Sequence, residues 1–288
     1  PNTADLTDAA NADAIKSSLL YSVTTMHTLF NITNTMILIW FIPQIEKIVS
    51  WIIPQKAEKE VFRLKYIQGG PLSTAELSLD EAEQEIVHFS EICYNGFGYM
   101  RQAINEKDPV KFGELREKLI KYEAITDRIE YEIADYLNEV SKGEISSSSA
   151  VRINGMYKII GELESIGDSG DAIGRILARR NEHGLSFDEQ QLKRLGRMCD
   201  LLDDAFKAMT NNLKVPYTSL KDITNAQDAE YNINECRNTL REEHIINIEE
   251  NSSYNYQVGV FYMDIVAELE KMGDFMINVS EAKIAENG

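Results

Sequence analysis

The chain is 288 residues long, with 47 Asp plus Glu against 29 Lys plus Arg and a formal net charge of −18. At 43% hydrophobic and 26% charged, it has enough apolar material for a packed core and is neither disordered nor collagenous in composition. The acidity argues against a nucleic-acid binder, because phosphate backbones are held by stripes of Lys and Arg. Clustered carboxylates favour the holding of cations instead.

The chain opens at Pro1 rather than Met, which predicts a piece of a longer protein. Cys93, Cys199 and Cys236 are far apart and form no CxxC, so neither disulfides nor a zinc knot is expected, and a reducing compartment fits. Residues 17–45 contain no Asp, Glu, Lys or Arg, a run longer than the roughly 20 residues a membrane-crossing helix needs. Ser22, Thr24, Thr25, His27, Thr28, Asn31, Thr33, Asn34 and Thr35 load its first half, whereas residues 36–42 (MILIWFI) are apolar all round. Polar groups at membrane depth face other helices or a wet pathway, which makes Thr28 and Asn31 candidates for lining one. Both Trp residues, Trp40 and Trp51, fall in or just after the run, as interfacial Trp does. Lys47, Lys56, Lys59, Arg63 and Lys65 follow the run and only Lys16 precedes it, so the positive-inside bias puts the C-terminal part in the cytoplasm. A buried core helix with an amphipathic tail is the alternative, supported by Pro43, Glu46 and the polar first half.

Gln68-Gly69-Gly70-Pro71 reads as a linker. It divides an N-terminal region, residues 1–71 (membrane helix 17–45, amphipathic segment 46–67, linker 68–71), from a helical domain over 72–288. Breaks at 141–149, 181–188 and Val215-Pro216 leave six helical segments near 79–105, 108–141, 147–181, 187–214, 219–248 and 255–286. Asp108-Pro109 has the pattern of an N-cap followed by a first-turn proline. No alternating β-branched run suggests a sheet. The expected fold is all-α, with two tandem three-helix bundles, repeat 1 over about 76–181 and repeat 2 over about 187–286.

The repeat carries carboxylates. Residues 162–168 (ELESIGD) and 268–274 (ELEKMGD) agree at five of seven places, so the third and sixth helices look like copies. Glu123 and Asp127 lie 41 residues before Glu164 and Asp168, and Glu230 and Asn234 lie 40 residues before Glu270 and Asp274. Residues four apart share a helix face, and two carboxylates so placed repel unless a cation sits between them. Each pair follows an apolar row by one residue, at one edge of the buried stripe; Gly167 and Gly273 add little bulk beside Asp168 and Asp274. Spacing alone leaves two readings: acids that are merely solvated and repeated by duplication, or a metal site. An all-oxygen donor set favours hard cations such as Mg, Ca, Mn or oxidised Fe over Zn.

ELESIGDSGDAIGRI (162–176), ELEKMGDFMINVSEA (268–282) and KYEAITDRIEYEIADYL (121–137) resemble the motifs of the PhoU family, duplicated three-helix-bundle proteins of bacterial phosphate control. The run HTLFN (27–31) and the apolar segment after it resemble the end of the transmembrane part of bacterial sodium/phosphate cotransporters, many of which carry a PhoU-like C-terminal domain. The resemblance implies iron or zinc clusters held through Glu/Asp-xxx-Asp motifs, here at Glu123, Asp127, Glu164, Asp168, Glu230, Glu270 and Asp274. Asn234 stands where an acid is expected. Asn278 matches an Asn four residues after the last Asp of the family motif, whereas Ala172 does not. It also implies a plasma-membrane parent with this domain in the cytoplasm. Its partners would be the transmembrane part of that transporter and, in the intact protein, sodium and phosphate; a homo-oligomer is left open.

An enzyme reading lacks support: His88, His183 and His244 are scattered, and there is no P-loop, GxSxG or HExxH. The expected role is regulation of phosphate uptake by a metal-binding domain. The competing reading is a metal-free helical module that docks a partner.

Overall fold

The computed structural model describes residues 18–37, 64–67, 69–71, 74–250 and 254–285. Among them are seven helices and no strand. The chain divides into two compact units, Pro1–Val61 and Phe62–Gly288. In the first, residues 18–37 form helix α1, on which Leu20, Tyr21, Met26, Leu29 and Phe30 are exposed. Among the described residues no helix is long and apolar enough to cross a membrane. The reason is the load of hydroxyl, amide and imidazole side chains between Ser22 and Thr35, which lowers the mean hydropathy of α1; two of them, Ser22 and Thr24, donate back to the carbonyls of Ser18 and Leu20. Most of the apolar run 36–42, both Trp residues and nearly all of the expected amphipathic segment 46–67 lie outside the described residues. Thr28 and Asn31 sit on α1, exposed.

The second unit holds α2 (Ala75–Asn105), α3 (Pro109–Ser141), α4 (Ser147–Glu182), α5 (Glu189–Lys214), α6 (Thr224–Glu250) and α7 (Tyr256–Ala285). Local chemistry sets their ends. Thr74, Asp108, Ser146 and Asp188 cap the N-termini of α2 to α5 with side-chain oxygens that accept orphan backbone N–H groups. Asp108 accepts from Val110 N at 2.8 Å, with Pro109 in the first turn, as its sequence pattern predicts. Asp188 and Gln191 form a reciprocal capping box. α4 ends in a Schellman motif: Leu185 N donates to Arg180 O and Gly184 N to Asn181 O, with Gly184 at φ 66°, where a side chain would be strained.

α2, α3 and α4 pack together, and so do α5, α6 and α7; the two bundles meet where α4 runs along α7 and α2 along α5. In each case a helix packs on its own repeat copy, the relation a pseudo-two-fold axis produces. α3 and α6 therefore flank the assembly. One continuous core, including Phe89, Ile129, Ile133, Leu163, Phe206, Ile265 and Leu269, spans both bundles. The three cysteines are buried and free.

α6 begins at Thr224 rather than near 219. Residues 216–219 form a turn, with Ser219 N donating to Pro216 O and Thr218 at φ 71°. Leu220 and Ile223 in the following stretch are buried without being helical, so their apolar character imitates a helix start. At the other end of the unit, residues 64–67 are a bent, non-helical strap on α2. Ile67 is buried, and the fully buried carboxylate of Glu85 accepts from Tyr66 N at 2.6 Å and from Ile67 N at 3.3 Å.

Candidate metal centre

Thr126 on α3 and Gly167 on α4 bring the two helices into close approach. Thr126 is buried, its hydroxyl donating to Glu123 O at 2.8 Å, and a Cβ on Gly167 would stand 2.3 Å from that hydroxyl oxygen. On the outer side of this contact, Glu123, Asp127 and Asp168 each present a carboxylate oxygen within 4.8 Å of the other two. Among the described residues this is the one grouping of three potential metal ligands so close together.

Three like charges at this separation repel one another by about 1 kcal/mol per pair in water, and by about 4 kcal/mol near a protein surface. The titration behaviour follows. Burial, then the charges of Asp127, Asp171 and Asp168, push the Glu123 carboxyl above its ordinary value. Burial and then Asp127 raise Asp168, and burial, Asp168 and Asp127 raise Glu164. Arg175 opposes the shift at Glu123 and Asp168, but its guanidinium is engaged one turn away with Asp171, which also pairs with Arg116. The geometry fits a cation: oxygens bound to one hard ion at about 2.0–2.6 Å lie at most about 5 Å apart. The donor set is all oxygen, as Mg, Ca, Mn or ferric iron prefer. Glu164 lies one turn before Asp168 and outside the group of three, though near enough to feel its charge.

The second repeat is built differently. Asn234 donates to Glu230, and Arg237 donates to Glu270. Glu270 is raised by burial and by Asp274, with Arg237 opposing; Asp274 is raised by burial, again with Arg237 opposing. Arg237 thus brings a fixed positive charge to the place a metal would take. By repeat arithmetic it stands 107 residues after Glu130, as Glu230 stands 107 after Glu123. The first repeat has an acid there and the second a base, so Glu230, Glu270 and Asp274 fit an ion less well than their counterparts. Asn278 is committed elsewhere, donating to Glu162 across the α4–α7 contact at 3.1 Å. The sequence signal for Arg237 is its place three residues after Asn234, where the first repeat has Glu130 three residues after Asp127.

The family model of the PhoU domain matches residues 86–177, from within α2 through α3 to α4. The acidic triad lies within the residues that this model matches. The helical fold is also that of solved PhoU structures. The chain is similar to the phosphate transport system regulatory protein PhoU from Streptococcus pneumoniae, with 17% identity, a TM-score of 0.58, and coverage of 74% of this chain and 96% of that one. It is likewise similar to PhoU from Pseudomonas aeruginosa, with 15% identity, a TM-score of 0.57, and coverage of 73% and 97%. No curated protein matches the chain in sequence. The match to the domain model falls on the first repeat, the one that retains the full set of acids.

Proposed function

We propose that the helical unit is a cytoplasmic regulator of phosphate transport that binds metal through Glu123, Asp127 and Asp168, with Glu164 as an adjacent ligand. The observation that carries this reading is the convergence of three carboxylates from two helices inside the residues matched by the PhoU domain model. A bound ion offsets their mutual repulsion and stiffens the α3–α4 crossing, and so holds one shape of the outer face for docking. The unit acts by binding rather than by catalysis, its partner being the membrane part of a sodium/phosphate cotransporter-like parent. The HTLFN run and the exposed apolar side chains of α1 support that parentage, with Thr28 and Asn31 on its transport pathway. Self-association is compatible with the same arrangement. Glu230, Glu270 and Asp274 form a weaker second site, because Arg237 already compensates them.

Metal content of the full chain, measured by mass spectrometry beside an Asp127→Asn/Asp168→Asn variant, tests the metal. Retained metal lost in the variant supports it. A metal-free parent that melts like the variant leaves the other reading, a docking module without an ion, which the arginine-compensated second repeat favours. Uptake of phosphate by cells carrying the parent protein with and without the same substitutions tests the regulatory role; unchanged uptake removes it.

A further inference from the structure

At one end of the first bundle, the α2–α3 turn, the C-terminus of α4 and the α4–α5 loop enclose a cavity of about 480 Å³. This is within the size range of small-molecule sites. Ile104, Phe112 and Leu192 supply apolar walls, and Lys107 and Ser186 line its polar side. Arg180 also lines it, and is 5% exposed. A guanidinium so buried normally has a carboxylate partner, because desolvating the charge is expensive. Here both hydrogen bonds it makes go to a neutral amide: Nε and Nη2 donate to Asn181 Oδ1, at 3.1 and 2.7 Å. Among the described residues no carboxylate pairs with it, and burial alone pulls its affinity for the proton down. The Glu106 carboxylate, which also lines the cavity, is turned to the backbone, accepting from Lys107 N and Asp108 N at 2.9 Å each. Arg180 stacks on the Phe187 ring, 4.5 Å from its centroid, and sits in the last turn of α4, where the helix dipole favours a cation. Each of these recovers a fraction of what burial costs a guanidinium. Nη1 keeps its donors unspent, and a guanidinium fork suits the paired oxygens of a carboxylate or phosphate.

We infer that this cavity binds a small organic anion, with its carboxylate or phosphate group on Arg180 beside Lys107 and its apolar body against Phe112 and Leu192. The site shares no residue with the acidic triad, so it stands or falls apart from the metal reading.

The test is calorimetric titration of the full chain with phenyl phosphate and with benzoate, and with phenol as the uncharged control. Saturable binding of at least one of the two anions, with a Kd of about 1 mM or tighter, is expected, and none of phenol. Arg180→Gln is expected to weaken that binding about tenfold or more, since it removes the charged hydrogen bonds. Should that variant fail to fold, Ser186→Trp, at an exposed position on the cavity wall, fills the space while leaving Arg180 in place; it is expected to abolish binding. Absence of saturable binding to the unmodified chain overturns the inference. So does binding that persists undiminished in Ser186→Trp, or in a folded Arg180→Gln protein.

Discussion

Gly167 meets Thr126 so closely that any side chain at the glycine would collide with the threonine hydroxyl, at 2.3 Å from a Cβ. The contact sets the distance between α3 and α4 and, with it, the distance between Asp127 and Asp168. Gly167→Ala is expected to cost about 1–3 kcal/mol through overpacking and to lower metal retention by separating the carboxylates. At the equivalent place in the second repeat, a Cβ on Gly273 meets the Ile233 Cδ1 atom at 2.9 Å. That atom is the far end of a flexible side chain, so Gly273→Ala should be the milder change. Melting curves of the two variants rank them, and equal losses would show that the hydroxyl contact has no special role.

A second expectation concerns pH. Burial and neighbouring charges raise the Glu123, Glu164 and Asp168 carboxyls, so the metal-free fold holds their protons to higher pH than the unfolded chain does. Stability from these groups is full below the ordinary carboxylate values of 3.8 and 4.5, and is lost as pH rises through the raised ones. Asp203 and Asp222 are shifted downward and contribute the opposite slope, so a difference measurement is needed. Asp168→Asn should be less stable than the parent, or equal to it, at low pH. Near neutrality it should be more stable by roughly 0.5 kcal/mol, a modest figure because the acids are partly solvated. Urea midpoints of parent and variant across the range decide the point; a gap that does not change with pH would rule out this origin.

Arg237 offers a third test. Restoring the first repeat's charges by Arg237→Glu together with Asn234→Asp should raise the bound-metal stoichiometry of the full chain, because the fixed guanidinium no longer neutralises Glu270. Without metal, the same double variant should melt lower than the parent. An unchanged stoichiometry would mean that something other than charge keeps the second repeat from binding an ion.

The six long helices were legible because each carries an apolar stripe, and four open on a side chain that caps its own N-terminus. The register of the acidic pairs was legible for the same reason: four residues make one helical turn wherever the helix lies. What Glu164 and Asn278 face was not, since the first stays outside the triad and the second reaches across to Glu162 on the other bundle. Arg180 reads in sequence as an ordinary basic residue near a helix C-terminus. Only the way the α4–α5 loop closes over it shows that it is buried without an acid. The strap at 64–67 depends on a contact with Glu85, 18 and 19 residues away, which no local pattern announces.

Glu83 ties three helices together and yields a fourth prediction. Its carboxylate accepts from Arg152 Nε at 3.2 Å and from Lys283 Nζ at 2.7 Å, joining α2 to α4 and to α7 in the other bundle. Lys283 is 2% exposed and Arg152 6%. Glu83→Ala leaves the ammonium buried without this partner and should cost about 3 kcal/mol, the lower end for a broken buried pair, because Arg152 keeps Asp80. Glu83→Leu combined with Lys283→Leu should recover most of that loss, since apolar pairs replace buried ion pairs at little cost. A double variant as unstable as Glu83→Ala would show that the ion pair itself, rather than an orphaned charge, holds the bundles together.

The Glu85 carboxylate is fully buried, and its Oε2 accepts from the backbone N–H groups of Tyr66 and Ile67. Those bonds pin the strap by which the chain leaves the helical unit toward its N-terminus, with the Tyr66 ring edge-on to His88 at 6.3 Å and Ile67 seated in the core. A hydrogen bond to a charged acceptor is worth about 1.5–3 kcal/mol, so removing the acceptor should raise the frequency of local opening about tenfold or more. Glu85→Ala is therefore expected to speed tryptic cleavage after Lys65 by that factor, while the melting of the six-helix unit moves little. Both N–H groups donate to the same oxygen, Oε2, so Glu85→Gln keeps a carbonyl acceptor for both but loses its charge, and should fall between the two. If cleavage after Lys65 is as slow in Glu85→Ala as in the parent, Ile67 and the Tyr66 ring hold the strap by packing, and the buried carboxylate serves α2 alone.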